Sequence, residues 1–213
     1  MFDSIPRIKI CGMTREADAQ LAAGLGVDAL GFVLAESPRR IAPETVRKLS
    51  LSLPPFVSTV GVFVDMDMES VRHIASFCRL DWVQLHGNES PDYCRALGFK
   101  LLKAIRVRDG QSIETMAGYK DCVKGFVLDT YVKGLHGGTG KSFDWDLAKE
   151  AKKYGPVILS GGLTPENVKE AIRVVRPYGV DASSGVESAP GIKDHEKMRR
   201  FVEQIRSGVA CLR

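Results

Sequence analysis

Short apolar runs alternate along the chain with segments in which apolar residues return every three or four positions. The first run, RIKICGM at 7 to 13, predicts a buried strand with Cys11 at its C-terminal tip, followed by Gly12 and a helix signal near Thr14. Helix 1 is expected from about Arg15 to Gly24, with Ala17, Leu21 and Leu25 repeating every four residues as its buried face. DALGFVL (28 to 34) reads as strand 2 and leads through AESPRRIAP into helix 2, about 43 to 51. Pro43 suits a first helical position, Val46 and Leu49 face inward, and PPF ends the helix.

STVGVFVD (58 to 65) is almost continuously apolar, as a parallel strand covered on both faces would be. Helix 3 carries Val71, Ile74, Ala75 and Cys78 at i, i+3, i+4 and i+7, which makes Cys78 a core thiol. In strand 4, DWVQLHG (81 to 87), Gln84 and His86 alternate with Val83 and Leu85; helix 4 follows over about 89 to 97. KLLKAIRV (100 to 107) is strand 5, followed by a weak helix with Ile113, Met116 and Ala117. GFVLDT (125 to 130) is strand 6, and the glycine-rich YVKGLHGGTGKS leads to helix 6, from Asp144 to about Lys153. PVILSGG is strand 7, and TPENVKEAIRVV is helix 7, with Thr164 as cap, Pro165 as first residue and Val168, Ala171, Ile172 and Val175 on one face. GVDASSG is strand 8 with its loop, and a last helix, about 194 to 206, buries Met198, Phe201, Val202 and Ile205; the tail SGVACLR reads as a frayed end.

Eight strands alternating with eight helical patterns predict an α/β fold, a (β/α)8 TIM barrel forming a single catalytic domain over residues 1–213. A doubly wound open sheet is the rival, but CGMTRE after strand 1 lacks GxGxxG, and eight strand units exceed its usual count. At 213 residues the chain is short for a barrel, which implies brief helices and few insertions.

Composition narrows the class. With 44% hydrophobic and 26% charged residues and no apolar run approaching 18, the chain reads as neither disordered nor membrane-spanning. MFDSIPRIKI offers no apolar signal region, so cytoplasm is the expected compartment. The formal charge of +4 is spread along the chain; it suits an anionic small molecule and forms no nucleic-acid footprint. Cysteines 11, 78, 94, 122 and 211 make no CxxC pair, which fits free thiols in a reducing compartment.

Barrel chemistry lies at the C-terminal ends of the strands, which here offer Cys11, Asp65, His86, Arg106, Asp129, Ser160-Gly161-Gly162, and Asp181 leading to Ser183-Ser184-Gly185. Gly138-Thr139-Gly140, Gly161-Gly162 and Ser183-Ser184-Gly185 are glycine-rich turns able to bring backbone amides against a phosphate, though each alone also serves as an ordinary turn. GLHGGTGKS matches GxxxxGK[ST] literally at Gly134, Gly140, Lys141 and Ser142, but sits in a long loop and is discounted as a nucleotide site. Cys11 and Asp129, on strands 1 and 6, would face each other across the barrel as a base and acid pair; each also has a bland reading, a buried hydrophobe and a loop-anchoring carboxylate. Arg39 and Arg40 could grip a carboxylate or phosphate, or lie on the surface. His86 is a base, a donor to substrate or a satisfied rim histidine; Asp181 orients the SSG amides or touches substrate. No residue spacing calls for a metal.

KICGMT (9 to 14), DALGFV with SPRRI, VGVFVD, VQLHG, LDT, GGTGKSFDW, LSGGLTPENV and VDASSGVES with PGIKD occur in order, and together they resemble the phosphoribosylanthranilate isomerase family of tryptophan biosynthesis. The resemblance implies a cofactor-free Amadori rearrangement of N-(5-phosphoribosyl)anthranilate to 1-(2-carboxyphenylamino)-1-deoxyribulose 5-phosphate. It makes Cys11 the general base, Asp129 the general acid and Arg39 the partner of the anthranilate carboxylate, with phosphate contacts on GGTG, SGG and SSG. Its mechanism needs the acid's pKa raised and the thiol's lowered, with Lys9 helping the thiol or pointing away. The implied partner is a phosphorylated small molecule, with no nucleic acid or membrane, and the assembly is a monomer or a homodimer. A phosphate-binding module without turnover and a related barrel isomerase or synthase on another ribose adduct are the rivals; assayed turnover separates the first, and that second class typically uses paired acids where this chain has Cys11.

Overall fold

The computed structural model describes residues 5–129 and 145–210. Eight parallel strands close into a barrel in chain order: β1 (Arg7–Cys11), β2 (Ala29–Val33), β3 (Ser58–Phe63), β4 (Trp82–Leu85), β5 (Leu101–Arg106), β6 (Gly125–Asp129), β7 (Val157–Ser160) and β8 (Gly179–Ala182). The seam pairs Lys9 with Asp181 and Ile10 with Ala182. The outer faces of the strands and the helices share one core, in which Ile10, Leu30, Phe63, Leu85, Leu128 and Leu159 are buried. A second, smaller cluster of Val60, Leu102, Ala104 and Val127 fills the barrel interior. This two-sided burial is why most of the strands read as apolar runs.

The helices are α1 (Glu16–Gly24), α2 (Pro43–Ser52), α3 (Met68–Phe77), α4 (Pro91–Leu97), α5 (Gly110–Glu114), α6 (Trp145–Ala151), α7 (Val168–Val175) and α8 (His195–Ala210). The predicted faces of α2, α3, α7 and α8 are the observed ones, and the Cys78 thiol is fully buried against the Pro43 carbonyl, 3.3 Å away. The weak helix after β5 is one short α-turn followed by a 3-10 stretch, Thr115–Tyr119.

Four expectations change. In α1 the buried positions are Asp18, Ala19 and Ala22, while Ala17 is exposed and Leu21 and Leu25 are half-buried. The face is turned because Asp18, a residue whose type predicts exposure, points inward: its carboxylate accepts from Arg15 (2.9 and 2.8 Å), the Lys193 amide (3.1 Å) and pairs with His195 (2.9 Å). Helix α7 begins at Val168, not at Pro165, because 164–167 form a turn in which the Asn167 side chain accepts from the Thr164 amide (2.8 Å) and Thr164 Oγ1 accepts from the Glu166 amide (3.2 Å). An antiparallel hairpin, β9 (Glu187–Ala189) with β10 (Ile192–Lys193), follows β8 where only a loop was expected, turned by Gly191 at φ +78°. The tail is helical as far as Ala210; the remainder lies outside the described residues. Among the described residues no helix is long and apolar enough to cross a membrane.

At the N-terminal end the barrel opens into a cavity of about 530 Å³, floored by Val60, Leu102 and Ile158 and rimmed by Arg7, Phe56 and Tyr178. Phe56 is fully exposed at φ +70°, and Tyr178 is 44% exposed.

Burial lifts Asp18 toward neutrality but its partners outweigh it, holding the carboxyl below the ordinary carboxylate range. A depressed pKa adds stability that is complete above the unfolded value and is lost as pH falls through the folded one. Asp18→Asn is therefore expected to lose about 2 kcal/mol in urea unfolding at neutral pH, and to lose less further stability on acidification than the parent chain.

Candidate active site

Side chains alternate inward and outward along a strand. Because Val60, Leu102 and Val127 point inside the barrel, the same parity on each strand gives the inward residues at its C-terminal end. Those bearing reactive or polar groups are Cys11 on β1, Arg106 on β5, Asp129 on β6, Ser160 on β7 and Asp181 on β8, with His86 just past the end of β4. The sequence-predicted pair is thus brought to one mouth.

Cys11 is buried, 9% exposed, and its sulfur occupies the space left by Gly31 on β2: a Cβ built there would lie 2.6 Å from Sγ. Beneath it Lys9 and Asp181 form an ion pair of 2.8 Å, both 4% exposed. Lys9 therefore points into the barrel. On its other side Lys193, from the hairpin, donates to the Cys11 carbonyl at 2.6 Å and to the Ser183 carbonyl at 3.3 Å. Burial pushes the Cys11 thiol up, and Asp181 adds to it; Lys9 and Lys193 pull it down without cancelling the rise. The expected lowering of this thiol does not occur, because burial outweighs the pull of the two ammonium groups. Burial also works against the Lys9 ammonium, but Asp181 and Cys11 overcome it and hold Lys9 charged. Burial also raises the other core thiols, Cys78 to about 11 and Cys94 to about 12.

Asp129 Oδ2 lies 3.2 Å from His86 Nε2, and His86 Nδ1 lies 3.3 Å from the Gln84 amide nitrogen. If Gln84 donates to Nδ1, the neutral imidazole carries its proton on Nε2 and donates it to Asp129, stabilising the carboxylate left once Asp129 has given up a proton. The loop carrying His86 is pinned from below: buried Lys103 donates to the Gly87 carbonyl (2.7 Å) and to Glu89 (2.9 Å), whose other oxygen accepts from the Asp65 amide (2.9 Å). Asp65, among the strand-end residues, is a loop anchor here: its carboxylate accepts from the Asn88 amide at 2.5 Å, and its backbone is left-handed at φ +47°. Arg106 is exposed.

The stem of Arg39 crosses over Gly12, whose added Cβ would fall 2.7 Å from Arg39 Cδ and 3.2 Å from Ser183 Oγ. Arg39, Ser183 and the Cys11 strand end are therefore neighbours. The guanidinium is already held, Nε and Nη2 gripping Glu187 at 2.9 and 2.7 Å. Gly161 and Gly162 are both left-handed, φ +82° and +68°, the backbone shape that aims successive amides at an anion. A Cβ on Gly185 would fall 1.9 Å from the Leu163 carbonyl, so only glycine allows the Ser183-Ser184-Gly185 turn to pack beside the Gly161-Gly162 loop. Gly138, Thr139 and Gly140, and with them the GxxxxGK[ST] match, lie outside the described residues.

Glu187 and Lys193 escape a reading by periodicity, because charged residues in a short turn count as solvated. The one local cue is the Pro190-Gly191 turn between them.

The family model for N-(5'-phosphoribosyl)anthranilate (PRA) isomerase matches residues 8–204. A Moorella thermoacetica N-(5'-phosphoribosyl)anthranilate isomerase is 52% identical over 201 residues, covering 94% of this chain and 89% of that one. The Thermotoga maritima phosphoribosyl anthranilate isomerase superposes with a TM-score of 0.88 at 42% identity, covering 95% and 99% of the two chains. A further structure of the Thermotoga maritima enzyme, of monomers generated from the dimeric form, gives 0.85 at 39% identity over 95% and 99%. A phosphoribosyl anthranilate isomerase in complex with reduced 1-(o-carboxyphenylamino)-1-deoxyribulose 5-phosphate gives 0.86 at 40% identity, again over 95% and 99%.

Gly31→Ala should displace the Cys11 sulfur while leaving the barrel folded. The expected result is a fall in kcat of about 10²-fold with a cooperative melt and a stability lowered by about 1–3 kcal/mol through overpacking; full turnover would show that the sulfur's position does not matter.

Proposed function

The chain belongs to the N-(5'-phosphoribosyl)anthranilate isomerase family, and on that premise we propose that Cys11 and Asp129 carry the two proton transfers of its reaction. The protein is an isomerase of tryptophan biosynthesis: it rearranges the phosphoribosyl adduct of anthranilate to the corresponding aminodeoxyribulose phosphate. The observation that supports the assignment is the shared inward parity of Cys11 and Asp129 at one barrel mouth, with Arg39 and two glycine turns around it.

In the proposed sequence, Asp129 enters protonated and gives its proton to the ribose ring oxygen as the C1'–O bond breaks and the anthranilate nitrogen forms an iminium. His86 steadies the carboxylate that results. The iminium draws electrons from C2', and Cys11 as thiolate removes the C2' proton, leaving an enolamine. Tautomerisation moves the enol proton off oxygen and protonates C1', giving the ketone with no net gain or loss of atoms. Arg39 receives the ring carboxylate. The phosphate sits on the amides of Gly161-Gly162 and Ser183-Ser184-Gly185, joined by Gly138, Thr139 and Gly140. Asp181 serves by keeping Lys9 charged under the thiol. A single barrel unit is the whole catalytic domain, and the free thiols of Cys11, Cys78, Cys94 and Cys122 suit a cytoplasmic setting.

Cys11→Ala is expected to lower kcat by about 10³-fold while binding the reduced product analogue with ordinary affinity, read in an anthranilate-fluorescence assay with the adduct generated in place. Asp129→Asn should behave in the same way. Near-normal turnover in either variant removes that residue from the mechanism.

Between monomer and homodimer, the N-terminal face favours the dimer. It presents one fully exposed aromatic, Phe56, beside a cavity with an apolar floor, so that two copies related by a twofold axis offer each other a knob and a hole. The Thermotoga maritima relative is itself dimeric. Sedimentation should give twice the chain mass, and Phe56→Asp half that value with activity retained; a monomeric parent chain would overturn the reading.

A further inference from the structure

We propose that Glu187 is a positioning residue for substrate selectivity: it fixes the Arg39 guanidinium by one edge so that the other edge is left to read the substrate's ring carboxylate. The inference rests on the carboxylate role of Arg39 given above and adds the residue through which that role is set.

A guanidinium has two edges that can take a carboxylate bidentately, Nε with Nη2 and Nη1 with Nη2. Glu187 occupies the first, with Nε at 2.9 and 3.1 Å and Nη2 at 2.7 Å. Nη1 makes no hydrogen bond to the described residues, so the second edge retains its donors. An arginine on a loop would lose rotamer freedom on binding; here that ordering is already complete before substrate arrives.

Glu187 is itself held rigidly. Its side chain is 4% exposed, and it accepts from Lys193 Nζ at 2.8 Å and from the Gly191 amide at 3.3 Å. Thr14, after β1, donates to the Gly191 carbonyl, and Lys197 from α8 donates to the Glu187 carbonyl at 2.9 Å. The β9–β10 hairpin is thus bolted to the β1 loop and to α8. Through Lys193 it also grips the Cys11 and Ser183 carbonyls, tying the carboxylate arm to the thiol and to the glycine turn of β8. A carboxylate between Arg39 and Lys193 neutralises one of two cations and leaves one net positive charge facing a substrate carboxylate.

The test compares inhibition by two reduced product analogues, 1-(o-carboxyphenylamino)-1-deoxyribulose 5-phosphate and the same compound lacking the ring carboxylate. Glu187→Gln is expected to reduce the preference for the carboxylated analogue about tenfold, leaving the affinity for the other unchanged. Arg39→Ala should abolish the preference, and adding Glu187→Gln to it should change nothing more. Because Glu187→Gln leaves the Lys193 ammonium uncompensated, Glu187→Gln with Lys193→Met removes the buried pair together, and it should show the same loss. Equal weakening of both analogues, or an intact preference in both Glu187 variants, overturns the inference. If Arg39→Ala abolishes the preference while the Glu187 variants keep it, only the role of Glu187 fails; if Arg39→Ala keeps it, the carboxylate reading of Arg39 fails as well.

Discussion

Lys9 and Asp181 meet where the barrel closes. They are register partners on the first and last strands, 2.8 Å apart and almost wholly buried, so the pair exists only when β1 and β8 are side by side. A buried pair of this kind is weak evidence for stability, since desolvating two ions offsets much of their attraction, but removing one partner strands the other at high cost. Its value here is positional. Closing the seam places a fixed ammonium below the Cys11 sulfur, and nothing within β1 alone could hold it there.

The same logic organises the rim. Charged groups around the rim are paired, and in two cases the partner comes from a distant part of the chain: Arg39 with Glu187 and Asp18 with His195, while Lys193 with Glu187 and Arg15 with Asp18 are local pairs that complete the set. The loops of β1 and β2, the turn after β8 and the hairpin are joined by charge rather than by apolar packing. Charged hydrogen bonds fix direction as well as distance, which an apolar contact does not. A site that must orient a carboxylate, a phosphate and a sugar ring at once gains from that directional control.

This division explains what could be read without coordinates. Parallel strands buried on both faces announce themselves as apolar runs, so all eight barrel strands were legible, and so was the polar break at each strand end that exposed Cys11, His86 and Asp129. Helix faces were legible where apolar residues set the phase, as in α7. They failed in α1, because Asp18 is buried by partners, one of which, His195, is far along the chain. Glu187 and the hairpin failed for the same reason: a charge's burial depends on its partner, and no period in the local sequence carries that information. Arg39 was found as a residue, but its restraint by Glu187, 148 positions away, was not.

The raised thiol bears on the order of steps. A buried sulfur between two ammonium groups and one carboxylate has its pKa raised, which favours the thiol over the thiolate. Once formed, such a thiolate is a stronger base than one of ordinary pKa. On the proposed mechanism the first step supplies what the resting site lacks, for ring opening creates an iminium cation next to C2'. That positive charge favours release of the thiol proton to solvent and acidifies the C2' proton together, and the proton that Asp129 gave up is replaced from solvent before the next turnover. Acid catalysis by Asp129 therefore comes first and prepares the base, and the protein need not maintain an exposed, oxidisable thiolate between turnovers. Lys9 and Lys193 then act to limit the cost of ionising a buried sulfur, leaving the final part of the shift to the substrate itself.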